Sequence, residues 1–201
     1  MSKFRELLGR PDVEEVCVLR GHERAHRIGF MAYHGGGLEE MTEVIAQEAA
    51  ERSGASYYGV HQPTGMEFHV PSIEVTAEHS ESLGSFFAHV HTVFTIHGFG
   101  RHGYFASLLL GGRHRDLAEH VGSHLRDHLP AYDIVTDIER IPKELRGLHA
   151  RNPVNIPTHG GVQIELPPRV RGSSPLWWDW EGPGLTRSEE HTSELQSRQY
   201  L

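Results

Sequence analysis

Short apolar runs of strand character alternate along this chain with two longer segments of helical period, and that alternation limits the possible fold more than any other feature of the sequence. Runs at residues 13–20 and 28–33 precede a glycine-rich turn and a helical segment, 42–52, which Gly54 can stop. Further runs follow at 57–60, 67–70, 90–96, 104–110, 134–137 and 162–166. A second helical segment, 115–129, opens after Gly111 and Gly112 and closes before Pro130. Strands interleaved with long helices and short loops predict an α/β domain with a mixed, mostly parallel sheet flanked by helices. In such sheets ligands gather beyond the carboxyl ends of the strands, so any chemistry is expected there.

With 201 residues, 37% of them hydrophobic, the chain can bury one sizeable core, and no repeat or linker divides it. A single domain over residues 1–186 is expected. The run RSEEHTSELQS at 187–197 looks like the translation of a common sequencing adapter, so 187–201 is read as a non-native tail. No apolar stretch approaches the length of a membrane span, and the first residues lack the apolar centre of a secretory signal, which makes the cytoplasm the default location. A formal net charge of −8 argues against general nucleic-acid binding. The single cysteine, Cys17, lies in the apolar run VCVL and reads as a buried strand residue, with nothing beside it to activate a thiol. Oligomeric state is not legible.

The 17 histidines matter only by position. In AYHGGGLEEMT, His34 follows a strand, three glycines come next, and Glu39 stands five residues on. Glycines let the chain turn tightly enough for His34 and Glu39 to face one point, as a metal clip would require. The same turn beside a helix start could equally cradle an anion on its free N–H groups. In VFTIHGFG, an apolar strand ends in His97, at the rim where ligands collect. Two histidines and one glutamate match the ligand set of catalytic zinc sites that keep a position open for water. In VQIEL, Val162, Ile164 and Leu166 share one face while Gln163 and Glu165 share the other, which turns Glu165 either into the cleft or to solvent. A carboxylate in the cleft can take the proton of a water attacking a carbonyl and pass it to the leaving amine.

The motifs HGGGLE, IHG, FHVPS, LLLGG, NPVN and GVQIELPPRVRG occur in an order that resembles the phage-type poly-γ-glutamate hydrolase family, over residues 28–171. The resemblance implies a zinc carboxypeptidase-like fold and hydrolysis of γ-glutamyl amide bonds. It implies zinc ligation by His34, Glu39 and His97, with Glu165 as catalytic base. A polyanionic substrate calls for cations, and Arg101, Arg151, Arg169 and Arg171 stand near these motifs, where they could grip carboxylates or steady an oxyanion. Arg101, Arg151, Asn155 and His69 are the candidates for substrate contact. Glu40 reads as a first-turn helix carboxylate. His120, His124 and His128 form a stripe separate from the apolar stripe of Leu117, Val121, Leu125 and Leu129, and with His114 are expected to face water. Two other readings stay open: a zinc amidase acting on a peptidoglycan stem peptide or an acylated amino acid, and a non-catalytic phage-associated binding protein of the same fold. A phage or prophage enzyme would reach an outside polymer by release on lysis.

Overall fold

The computed structural model describes residues 2–23 and 27–172. The expected boundary at residue 187 and the tryptophans at 177, 178 and 180 lie outside the described residues. Seven strands form one mixed sheet: β1 (Glu14–Val18), β2 (Ile28–Gly36), β3 (Ser56–Gln62), β4 (Thr92–Gly98), β5 (Ser107–Leu110), β6 (Asp133–Val135) and β7 (Gly161–Leu166), in the order β1-β3-β2-β4-β7-β5-β6. The four central strands, β3, β2, β4 and β7, run parallel, while β1 joins β3 and β5 joins β7 antiparallel and β6 follows β5 parallel. The expected α/β domain with a mostly parallel sheet is therefore present.

Helices cover both faces. On one, α2 (Thr42–Ser53) and α4 (Arg115–His128) pack through Ala46, Ala50 and Ala118 onto Phe94, Ile96, Val162 and Ile164. Gly54 ends α2 with φ +65°, as a left-handed C-cap. On the other, α1 (Lys3–Leu8) and α3 (Glu81–His89) bring Phe4, Leu7, Leu83 and Phe86 onto Met31, Tyr58 and Val93. The close packing of Phe86 on β2 depends on Gly29, where a Cβ would stand 2.4 Å from the Phe86 ring. Both of these helices start at a serine whose side chain accepts a backbone N–H, Ser2 from Phe4 and Ser80 from Leu83. A four-residue helix, α5 (Pro168–Arg171), follows β7.

Three local expectations need correction. Residues 67–70 form no strand: the Gln62 side chain donates to the Phe68 carbonyl at 3.0 Å and accepts from the Phe68 N–H at 2.9 Å, in place of a neighbouring strand. The run at 104–110 enters the sheet only at Ser107, because two turns, Tyr104 N–H to Arg101 and Ser107 N–H to Tyr104, precede it. β2 continues to Gly36, so His34 lies within a strand and not after one. No helix of the described residues is long and apolar enough to cross a membrane. Cys17 is half-buried on β1 with its thiol toward the Ser82 carbonyl, and burial pushes the thiol pKa up. His120, His124 and His128 are exposed, and His114 caps α4 by accepting the Leu117 N–H.

Candidate metal centre and cleft

The carboxyl ends of β2, β4 and β7 lie side by side, and each supplies one buried polar residue near its last turn: His34, His97 and Glu165. His97 and Glu165 are cross-strand partners in the β4–β7 ladder, so ordinary alternation places both on the same face. His34 reaches that face by an irregularity. Ala32 pairs with Gly59 but Gly35 pairs with His61, which leaves one extra residue in β2. Such a bulge re-aims a side chain. Tyr33 and His34 consequently both stand against His97, with ring centroids 4.7 and 5.1 Å from it.

The glycine turn then returns the chain. The Gly36 N–H is held by the Glu43 carboxylate at 2.8 Å, the Gly37 N–H by the Gln62 carbonyl at 3.0 Å, and the Glu39 N–H by the His34 carbonyl at 3.1 Å. Gly36 has φ +74°, and a Cβ there would fall 2.0 Å from the Gln62 carbonyl oxygen, so only glycine fits. Thr42 accepts no such role but fixes Glu39 from behind, its hydroxyl donating to the Glu39 carbonyl at 2.7 Å. The Glu39 carboxylate is thereby aimed between the two histidines: Oε1 lies 2.8 Å from His34 Nδ1, and Oε2 lies 3.2 Å from His97 Nδ1 and accepts the Gly98 N–H at 2.9 Å.

The outer nitrogens of both rings are also engaged. His34 Nε2 faces the Val70 carbonyl at 2.8 Å, an acceptor only, so this nitrogen carries the proton. His97 Nε2 meets the Tyr33 hydroxyl at 2.8 Å, and that hydroxyl donates onward to Ser72 at 3.0 Å. Each Nδ1 then points at a carboxylate, an arrangement that calls for a cation between them, either a proton or a metal ion. Ligand atoms around tetrahedral zinc stand about 3.3 Å apart, given bonds of roughly 2.0–2.2 Å. One ligand atom from each of His34, Glu39 and His97 lies within 4.8 Å of the others, and the contacts across Glu39 are 2.8 and 3.2 Å, so the three residues fit such an ion. Carbonyl and hydroxyl partners on the far ring nitrogens are what metal-ligating imidazoles ordinarily have.

Charge follows the same geometry. Burial raises the Glu39 carboxyl pKa, but the charges and hydrogen bonds of His34 and His97 outweigh it and hold the group well below the usual carboxylate range. Burial alone would lower the His97 pKa, yet Glu39 beside it raises it above the ordinary histidine value. Glu165 is 3% exposed, and burial together with the Glu39 charge, against the opposing pull of His97, pushes its carboxyl up to about 7. Gln163 donates to Glu165 Oε1 at 2.7 Å. Behind Gly98 lies the buried Arg171, tied to the Glu40 and Leu166 carbonyls at 3.0 and 3.3 Å.

These groups form the floor of a cleft of about 550 Å³, walled by His69 to Ile73 on one side and by the loop carrying Lys143 and His149 on the other. His34, Glu39, His97, Glu165 and His69 meet there, and burial and the proximity of His34 lower the His69 pKa. Arg101 and Arg151 stand outside these walls; Arg101 pairs with Glu144, and the Arg151 N–H donates to His149 Nδ1 at 3.1 Å. Asn155 holds the wall from outside, donating to the Gly147 and His149 carbonyls at 2.7 and 3.0 Å. Arg169 lies 2% exposed beyond the other face of the sheet, with its guanidinium over Tyr132. Sequence reasoning missed roles for Tyr33, Gln163 and Asn152, all three of which sit inside segments it singled out for other residues.

The profile of the family described as poly-gamma-glutamate hydrolase matches residues 2–176. No curated protein sequence matches the chain. Two solved structures share the fold at 18% identity each. One, a bacteriophage poly-gamma-glutamate hydrolase, has a TM-score of 0.68 over 94% of this chain and 90% of its own. The other, the zinc-free form of YndL, has a TM-score of 0.64 over 94% of this chain and 92% of its own.

Proposed function

The chain belongs to the poly-γ-glutamate hydrolase family, and from that premise we propose that it hydrolyses γ-glutamyl amide bonds as a zinc enzyme, with His34, Glu39 and His97 as ligands and Glu165 as general base. The observation that carries this reading is the convergence of two inward Nδ1 atoms and one carboxylate beside a second buried carboxyl, that of Glu165, at the floor of one open cleft. Zinc, when bound there, supplies the positive charge that polarises the scissile carbonyl and makes water a usable nucleophile near neutral pH. Glu165 takes the proton from the attacking water as its oxygen bonds to the carbonyl carbon. It then gives that proton to the nitrogen as the C–N bond breaks. Burial and the Glu39 charge push this carboxyl up to about 7 in the metal-free site, and the positive charge of bound zinc would draw it back toward the ionised form that a base requires.

Every residue of a γ-linked glutamate chain keeps a free α-carboxylate, so the polymer presents a regular row of negative charges. Lys143 and His149, both exposed on the cleft wall, and His69 opposite them are the groups placed to meet those carboxylates. The test is to load the full chain with zinc and compare poly-γ-glutamate with poly-α-glutamate, following new amines and oligomer release. Cleavage of the γ-linked polymer and resistance of the α-linked one are expected. A fully metallated protein that leaves the γ-linked polymer intact would overturn the assignment.

A further inference from the structure

The NPVN motif acquires no role in the chemistry above, and Asn155 faces away from the cleft. Asn152 does not. Its side chain is 6% exposed and its amide nitrogen donates to Gln163 Oε1 at 3.0 Å. Gln163, 4% exposed, donates in turn from Nε2 to Glu165 Oε1 at 2.7 Å and to the Leu145 carbonyl at 3.1 Å. Both ends of this relay are pinned by backbone groups of fixed polarity. The Val154 N–H donates to Asn152 Oδ1 at 3.1 Å, so the other arm of Asn152 must be its amine. The Leu145 carbonyl only accepts, so the arm of Gln163 facing it and Glu165 must also be its amine. Neither amide can turn over without setting two like groups against each other.

The surrounding backbone is shaped to this amide. Gly147 has φ +63°, and a Cβ there would stand 2.5 Å from Gln163 Oε1 and 2.8 Å from its amide carbon. Only glycine lets the wall lie flat on Gln163. Asn155 holds that glycine in place through its carbonyl at 2.7 Å. The two asparagines of NPVN therefore act on one target from two directions, Asn152 by orienting the Gln163 amide and Asn155 by fixing the loop packed on it.

We propose that Asn152, acting through Gln163, is a positioning residue for the proton-transferring Glu165: it directs an N–H at Oε1 and so leaves the other carboxylate oxygen free for the attacking water. This inference rests on the reading of Glu165 as base. Loss of a residue that orients a group of the reacting site from behind typically costs about 10- to 100-fold in activity. The test uses Asn152→Ser, which keeps an oxygen for the Val154 N–H but cannot reach Gln163, alone and combined with Gln163→Leu in the full zinc-loaded chain. A fall in kcat of about 10-fold or more at unchanged KM and zinc content is expected for Asn152→Ser, with no further fall when it is added to Gln163→Leu. Losses that multiply in the double variant, or a rise in KM at constant kcat, would overturn the proposal, since a turn-stabilising residue would behave that way. Proton exchange of the Gln163 side-chain amide, followed by NMR in the metal-free protein, gives a second reading: protection in the parent that is lost in Asn152→Ser supports it, and an unprotected amide in the parent refutes it. Should the parent cleave no γ-glutamyl bond, the functional reading falls, and the amide exchange alone decides the positioning.

Discussion

Glu165 should make the metal-free protein less stable as pH rises, the reverse of what an ion-paired carboxylate does. Its carboxyl titrates at an ordinary 4.5 in the unfolded chain and at about 7 in the folded one, because it is buried beside Glu39. Between those values the native state binds the extra proton, so stability falls with rising pH. The stabilisation is complete below pH 4.5 and gone above about pH 7. The difference between the two values corresponds to about 3 kcal/mol. Glu39 and His97 also titrate, with opposite consequences: the depressed Glu39 carboxyl contributes stability that is lost below pH 4.5, and the raised His97 contributes stability that is lost as pH rises past its folded value. Comparison with Glu165→Gln removes this group together with the lesser upward pull it exerts on His97. Urea unfolding of both proteins with chelator, at intervals from pH 4.5 to 7.5, should show the parent losing about 3 kcal/mol relative to the variant across that range. Parallel curves would mean that Glu165 is solvated or paired and would refute the reasoning.

Other outcomes follow from the same geometry. Zinc binding at pH 6 should release protons, since His97 and Glu165 hold them in the metal-free site; calorimetry in buffers of different ionisation enthalpy measures this, and no buffer dependence would contradict it. Tyr33→Phe removes the oxygen that orients His97 and should weaken zinc binding about 10-fold or more in competition with a chelator, while a value unchanged from the parent would remove Tyr33 from the site. Gly36→Ala should destabilise by at least about 2 kcal/mol in urea unfolding, given its left-handed backbone and the contact with Gln62. Lys143→Ala should raise KM for poly-γ-glutamate with little change in kcat, and the same substitution at Arg101, which does not line the cleft and is already paired with Glu144 of its wall, should leave KM where it is.

Strand and helix periodicity made the sheet class legible, and the abrupt end of the run at His97 marked the rim where ligands gather, while the alternation in VQIEL left Glu165 facing either the cleft or solvent. The bulge in β2 was not legible, because nothing in AYHGGG says which residue is the extra one, yet it decides that His34 turns toward His97. Residues 67–70 read as a strand by their apolar alternation, whereas the side-chain amide of Gln62 takes both backbone groups of Phe68 and His34 Nε2 takes the Val70 carbonyl. The helix Glu81–His89 escaped notice because it is short and carries Gly84 at its centre, and packing on Gly29 holds it in place of propensity. Asn152 and Asn155 are equivalent as letters. Only the path of the wall loop separates the one that reaches Gln163 from the one that props the loop outside.

The most direct test of the central claim is to measure zinc content and oligomer release side by side in the parent and in Glu165→Gln, both loaded with zinc and given poly-γ-glutamate. The roles assigned here require bound zinc in both proteins and polymer cleavage in the parent alone. Undiminished cleavage by Glu165→Gln would contradict the assignment of the base, and a folded parent that takes up no zinc would contradict the metal centre itself.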